Sequence, residues 1–169
     1  NQGQVVVGVD LVGNGDDIVE GDISQPDSIS QLLTESDVII HTAALVSNAM
    51  QDSDMWRVNV LATRNLIQAA KEHKVRRFVQ IASIVAYGNT AEGELNETHP
   101  VHADGGSYVL TKLASEHVVL SEQANDDIEV VIIRPGDAYG PGSRPWIIAP
   151  LEAIAKNQFM LPEKGEGFF

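Results

Sequence analysis

The apolar positions of this chain fall in short, unbroken, β-branched runs rather than in alternation. Val5-Val6-Val7 leads to Gly8-Val9-Asp10, Val38-Ile39-Ile40 leads to His41, and Phe78 to Ala82 and Val130 to Ile133 complete the set. Ile18 to Gly21 is a further strand-like stretch. Continuous Val/Ile runs of this length are what strands buried on both faces look like, as in a parallel sheet. Helical patterns separate them: Ser24 to Glu35, which opens on Ser24-Gln25-Pro26-Asp27 as a cap and proline start, then Asp54 to Lys74, then Gly106 to Gln123. Strand alternating with helix predicts right-handed crossovers and an open, doubly wound α/β sheet covered on both sides. The stretch from Asn89 to Gly106 is the least regular, and loops of that kind often carry function.

On a wheel of about 100° per residue, Met55, Val58, Leu61, Ala62, Leu66 and Ala69 make one stripe of the 54–74 helix. Trp56, Val60 and Ile67 make a second stripe beside it, and Arg57, Arg64, Gln68 and Lys71 hold the rest. A helix lying on a sheet needs only the first stripe, so the second is expected to cover a neighbouring helix or another subunit.

Composition narrows the function. The chain has 169 residues, 43% hydrophobic and 21% charged, which is the length and balance of one globular domain. Its 24 acidic against 11 basic residues leave a net charge of −13, a surface that repels phosphate backbones and anionic lipid, so neither nucleic acid nor membrane is an expected partner. There is no cysteine, hence no disulfide framework and no thiolate chemistry. No apolar run reaches the roughly 18 residues of a membrane span, and the expected location is the cytoplasm.

Chemistry concentrates at a few strand ends and on one helix. Tyr108 and Lys112 lie one helical turn apart, so phenol and ammonium share a face. A nearby cation favours the phenolate of a tyrosine, which can then exchange a proton with a carbonyl or alcohol oxygen. Leu110, Leu113, His117 and Leu120 are read as the packing side of that helix, with His117 a core histidine, which leaves the Tyr108/Lys112 face free for a cleft. Ser83 follows the strand Phe78 to Ala82, where ligands of a parallel sheet collect, and its hydroxyl can bond the same substrate oxygen. Asp10 ends the first visible strand; a carboxylate there accepts from the ribose of a dinucleotide and repels a 2′-phosphate, favouring NAD over NADP. Asp22 is placed to meet the adenine amino group, and Ala43 and Ala44 are small residues where backbone passes close to a ligand. His99, His102 and Asp104 read as solvated loop residues rather than a metal site.

Taken in order, Gly21-Asp22-Ile23, His41-Thr42-Ala43-Ala44, Asn59 to Leu66, Ser83 to Gly88, Tyr108 to Lys112 and Arg134 to Pro141 resemble the extended short-chain dehydrogenase/reductase family. That family includes nucleotide-sugar epimerases and dehydratases and 3β-hydroxysteroid dehydrogenases. The resemblance implies a Rossmann-like NAD(P)-binding domain with Tyr108 as general acid/base, Lys112 as ribose ligand, Ser83 polarising the substrate oxygen and Asn59 supporting the active-site helix. Asp10, Asp22 and Ile23 would hold the adenosine half, and Ala43, Ala44 and Pro135 would line the pyrophosphate and nicotinamide. It further implies a homodimer through the 54–74 and 106–123 helices.

One family feature has no counterpart. Gly13-Asn14-Gly15 follows an acidic strand end and leads to no helix, so it does not replace the glycine-rich phosphate turn after the family's first strand. By motif order the strand at Val5 matches the family's second, and in the order 3-2-1-4-5-6 the first would sit at the centre. Residues 1–169 are therefore expected to be a partial domain, with the first strand before Asn1 and the substrate-binding elements after Phe169. An intact mass near 18.2 kDa would contradict that, and a protein of these residues alone is expected to bind a dinucleotide weakly.

The leading expectation is an oxidoreductase moving a hydride between NAD(H) and a secondary alcohol or ketone, closest to the hydroxysteroid-dehydrogenase branch. A nucleotide-sugar epimerase or dehydratase is the alternative; a dehydratase usually carries an acidic pair after the serine position, where this chain has Ile84-Val85. A non-catalytic dinucleotide-binding module is the alternative of another class, and the presence of Ser83, Tyr108 and Lys112 speaks against it.

Overall fold

The computed structural model describes residues 3–15, 17–46, 51–88, 93–124 and 127–159. Part of the Asn89 loop and the Gly165–Phe169 end lie outside them. The chain divides into two units, Asn1–Arg134 and Pro135–Phe169.

In the first unit, β1 (Gly8–Asp10) pairs in parallel with β2 (Ile18–Glu20), and β3 (Val38–His41), β4 (Arg77–Ile81) and β5 (Glu129–Ile133) form a second parallel sheet in that order. Among the described residues no strand pair joins the two sheets. Helix α1 begins as a 3-10 turn, Pro26–Ile29, and continues as Ser30–Thr34. Helix α2 joins Asp52–Met55, a π-helical Trp56–Ala62 and Thr63–Glu72. A 3-10 turn, Ile84–Tyr87, follows β4, and α3 is Ser107–Gln123. In the second unit, π-helical Arg144–Ile148 runs into Ala149–Ala155 as α4.

One core holds the first unit: Ile29 and Leu33 from α1, Leu66, Ile67 and Ala70 from α2, Phe78 from β4, and Val119 and Ile128. Gly21 is required by this packing, because a Cβ there would run into Ile29 and lie 2.9 Å from Val9. Helix α2 starts with Asp52 and Asp54 in its first turn, where carboxylates suit the helix dipole. It ends on Lys74 in a left-handed conformation, φ 59°, with Val75 N–H bonded to Ala70 O and Lys74 N–H to Lys71 O.

Several expectations are corrected. Val5 to Val7 are not strand; Val5 and Val6 are 91% and 81% exposed. Their partners by register would be residues of the Asn14–Asp17 turn, where the Asn14 side chain accepts from the amides of Asp17 and Ile18 and bends the chain. This short connection carries no helix. The α1 cap is Gln25 rather than Ser24, whose amide is already taken by the Asp22 carboxylate. Within this unit the β3–β5 sheet is covered on one face only: Phe78, Gln80 and Ala82 are buried, while Ile40, Val131 and Ile133 remain exposed.

The wheel reading of α2 is corrected at two positions: Asn59 is buried and Leu61 is 53% exposed. At about 100° per residue Asn59 lies roughly 40° from buried Met55, whereas Leu61 lies roughly 120° away, on the side of Arg57 and Arg64. Val60 and Ile67 of the second stripe are buried, the π segment and Thr63–Glu72 both packing against α3, so these two cover a neighbouring helix, one of the two partners expected, while Trp56 is 41% exposed.

Candidate active site

The carboxyl end of β4 and the first turns of α3 form the densest group of polar side chains. Lys112 is buried, 5% exposed, and its Nζ donates to Ile81 O at 2.7 Å. That bond fixes the ammonium beside the last residue of β4, two positions before Ser83. Burial pushes the Lys112 pKa down, and the charge of Glu116, one turn further on, pushes it partly back. Ser83 has extended backbone and caps the 3-10 turn by accepting from Val85 N–H at 3.3 Å, so its own hydroxyl proton remains available to donate. The 3-10 turn after Ser83 packs against α3, and half-buried Tyr108 lies one turn before Lys112 on that helix.

Asn59 ties this corner to β3. Its Oδ1 accepts from Leu45 N–H at 2.7 Å, and its Nδ2 donates to Leu45 O and to Thr111 Oγ1, both at 3.1 Å. The two backbone bonds clamp the segment that follows Ala43 and Ala44, which are exposed and half-buried respectively. Thr111 Oγ1 in turn donates to Tyr108 O at 3.1 Å. His41, at the end of β3, is 3% exposed, bonds Thr63 Oγ1 through Nε2 at 2.8 Å and stacks at a tilt on Phe78. Burial, then the nearby charge of Lys112, lowers its pKa to about 4, so it is neutral at physiological pH.

The face of α3 that packs is not the one expected. Val109, Thr111, Lys112, Ser115, Glu116 and Val119 are buried, whereas Leu110 and Leu120 are 39% and 46% exposed. His117 is exposed and bonded to its own helix at Leu113 O, so it is not a core histidine. Polar residues can fill the inner face because each has a partner. Glu116, 1% exposed, takes a forked pair from Arg134, with Nη2 to Oε2 at 2.7 Å and Nε to Oε1 at 3.1 Å. Arg134 also donates to Tyr87 Oη at 2.9 Å, its guanidinium lies 4.9 Å from that ring, and its pKa is raised by Glu116. Tyr87 Oη passes a bond on to Asn96 O. Gly88 is left-handed, φ 81°, and a Cβ there would meet the Asp104 carboxylate at 2.6 Å.

The residues expected at the adenosine half are held only locally. Asp10 is exposed, its carboxylate accepting from Val12 N–H at 3.4 Å. Asp22 accepts from Ser24 N–H at 2.8 Å and from Gln25 Nε2 at 3.4 Å; bonds from Ser24, side chain first and then amide, lower its pKa. Ile23 packs against the core, and Pro135 belongs to the second unit. His102 Nδ1 lies 3.5 Å from Asp104 Oδ2, and among the described residues no group of three or more metal-binding side chains is assembled.

Glu116, Thr111, Thr63 and His41 were not singled out from the sequence as site residues. Glu116 had a visible signal, since Tyr108, Lys112 and Glu116 recur every four residues along one helical stripe. Thr111 and Thr63 had none, because threonines reached across separations of 52 and 22 residues show no local pattern.

The model of the NAD dependent epimerase/dehydratase family matches residues 1–166. A dTDP-glucose 4,6-dehydratase of Streptomyces niveus is 31% identical over 88% of this chain, and a decarboxylating sterol-4-alpha-carboxylate 3-dehydrogenase of Candida albicans is 33% identical over 81%. The matched regions are 45% and 40% of those two proteins, so the chain spans less than half their length. Among solved structures, MoeE5 in complex with UDP-glucuronic acid and NAD superposes with a TM-score of 0.79 at 30% identity, over 90% of this chain and 54% of that one. A short-chain dehydrogenase/reductase superfamily protein from Agrobacterium tumefaciens with bound NAD gives 0.70 at 33% identity, over 79% and 42%.

Proposed function

The chain belongs to the NAD-dependent epimerase/dehydratase family, and from that premise we propose that the protein transfers a hydride between NAD(H) and a secondary alcohol or its ketone, with Tyr108 exchanging the proton. The observation that carries this reading is the fixed ammonium of Lys112 on the carbonyl of Ile81 at the end of β4, one turn from Tyr108 and two positions before Ser83 in sequence. The donor set suits a dinucleotide. Lys112 has three protons of which Ile81 O takes one, leaving donors for ribose hydroxyls. Asp10 would accept from the adenosine ribose, Asp22 and Ile23 would border the adenine, and Ala43 and Ala44 would line the rest. An exposed carboxylate at Asp10 favours NAD over NADP.

The bound dinucleotide supplies the hydride in reduction and accepts it in oxidation. The chain's part is the proton and the orientation. In reduction the Tyr108 hydroxyl gives its proton to the substrate oxygen; in oxidation it takes that proton back. Ser83 donates a hydrogen bond to the same oxygen, stabilising the charge that develops there. Asn59 keeps the strand-end segment and the α3 turn in register.

Hydroxysteroid-like specificity rests on the His41-Thr42-Ala43-Ala44 and Arg134 to Gly142 stretches and on the sterol dehydrogenase among the relatives. The sugar-nucleotide reading is favoured by the dehydratase and MoeE5 matches, while Ile84-Val85 after Ser83 counts against a dehydratase. NADH consumption with ketones, compared with interconversion of sugar nucleotides without net NADH change, separates the two. The first reading expects NADH consumption; interconversion alone would replace it by the second.

A homodimer is part of this proposal. Trp56, Leu61, Leu110 and Leu120 are the exposed apolar residues of the two long helices, and they replace the Val60 and Ile67 expected there. Light scattering is expected to show a dimer that Leu110→Lys with Leu120→Lys turns into a monomer. The proposed compartment is the cytoplasm; among the described residues no helix is long and apolar enough to cross a membrane.

A further inference from the structure

We propose that His41 and Thr63 are positioning residues: through a buried, one-directional chain of hydrogen bonds they fix Asn59, and Asn59 sets the α3 turn that carries Tyr108. The inference rests on the functional reading above for the role of Tyr108, and on the geometry alone for the chain itself.

Proton counting gives the chain one consistent direction, fixed at its Asn59–Thr111 end by the amide. Thr111 has one hydroxyl proton, given to Tyr108 O, so it must accept from Asn59 Nδ2. The Asn59 amide cannot be flipped, because Leu45 N–H requires an oxygen and Leu45 O requires a donor. Both Nδ2 protons are then used. Thr63 has one hydroxyl proton and two neighbours at 2.8 Å, Asn59 O and His41 Nε2; with that proton on Asn59 O, it accepts from a His41 that carries a proton on Nε2. Neutral His41 with Nε2–H satisfies every step. The four side chains are at most 3% exposed, so no water competes for these groups from outside.

The chain links three elements that local structure would leave independent. It begins at the end of β3, crosses α2 within its π-helical segment and ends on the carbonyl of Tyr108. Asn59 holds the segment after Ala43-Ala44 with the same amide that holds Thr111. The segment proposed to border the dinucleotide and the turn proposed to move the proton thus share one rigid support.

Amide hydrogen exchange on the ligand-free protein tests the chain without any need for turnover. Thr63→Val removes the middle hydroxyl at nearly constant volume, and Thr63→Ser keeps it. In an α-helix the Lys112 amide bonds Tyr108 O, so its exchange reports the end of the chain directly. Exchange at Lys112 is expected to rise at least about tenfold in Thr63→Val while Val119, on the same helix, changes less than about threefold. Thr63→Ser is expected to restore the wild-type ratio. A uniform rise along α3, or no rise at Lys112, overturns the proposal. Should Thr63→Val fail to fold, Thr111→Val cuts the chain at its other end and the same ratio decides. In turnover assays Thr63→Val is expected to lower kcat with KM for NADH nearly unchanged, recovered by Thr63→Ser; equal loss in both variants also overturns it. If the wild-type protein shows no NADH-dependent turnover, the functional reading fails and the exchange ratio still decides the chain.

Discussion

The two ends proposed to meet a dinucleotide are built in opposite ways. Around Tyr108 and Lys112, bonds reach across 14 to 52 residues, and Asn59, Thr63, Thr111, Lys112 and Glu116 are buried with partners. Around Asp10 and Asp22, the carboxylates bond only to neighbours two or three positions away and the strands are three residues long. Long-range bonds hold a reacting group within the narrow geometry that proton transfer demands. Local turns suffice for a carboxylate that only has to be found by a ribose or an adenine. The difference predicts that chemistry fails with changes at the first end and affinity with changes at the second.

The largest effect expected is on turnover. Tyr108→Phe should lower kcat by about 10²–10⁴-fold while NADH affinity, measured by titration calorimetry, stays nearly intact. A parallel loss of affinity would erase the distinction between the two ends. Next comes stability. Arg134→Met leaves Glu116 charged and buried without its partner, which should cost about 3–5 kcal/mol in urea unfolding. Asp22→Asn at the other end should stay within about 0.5 kcal/mol.

Acid should also act on the first end. His41 titrates at about 4 in the folded protein against 6.5 unfolded, so between those values the unfolded chain binds more protons. Its contribution is complete above pH 6.5 and is lost as pH falls towards about 4, amounting to roughly 3 kcal/mol in all. His41→Gln should flatten that part of the stability profile; an unchanged slope would remove His41 as its source. A small gain in stability belongs to neither end. Lys74→Gly relieves a left-handed lysine at the end of α2 and should raise stability by about 0.5–1 kcal/mol in the same unfolding assay.

Much of the first end was legible in the sequence. The runs at Val38, Phe78 and Val130 became β3, β4 and β5, and the 106–123 pattern became α3 almost to the residue. These elements pack on one core, so local pattern and tertiary environment agree. Ser83, Tyr108 and Lys112 stood out because strand ends and helical spacing are local properties. What stayed hidden depended on context. Val5 to Val7 have every strand preference but no partner beyond Gly8. Leu110 and Leu120 looked like core because they are apolar, yet the inner face went to Glu116, Thr111 and Lys112, whose partners come from distant elements. In α2, Asn59 lies on the buried stripe of Met55, Leu66 and Ala70 and Leu61 lies off it, but an apolar pattern counts the leucine and passes over the asparagine.

The central claim is hydride transfer between a nicotinamide and a carbonyl carbon in this site. NADH deuterated at the transferring position, incubated with the protein and a ketone, gives an alcohol whose mass reads the event directly. The account predicts an alcohol heavier by about one mass unit, formed in step with NADH loss and suppressed by about two orders of magnitude or more in Tyr108→Phe. Unlabelled alcohol, or labelled alcohol formed equally fast by Tyr108→Phe, would contradict it.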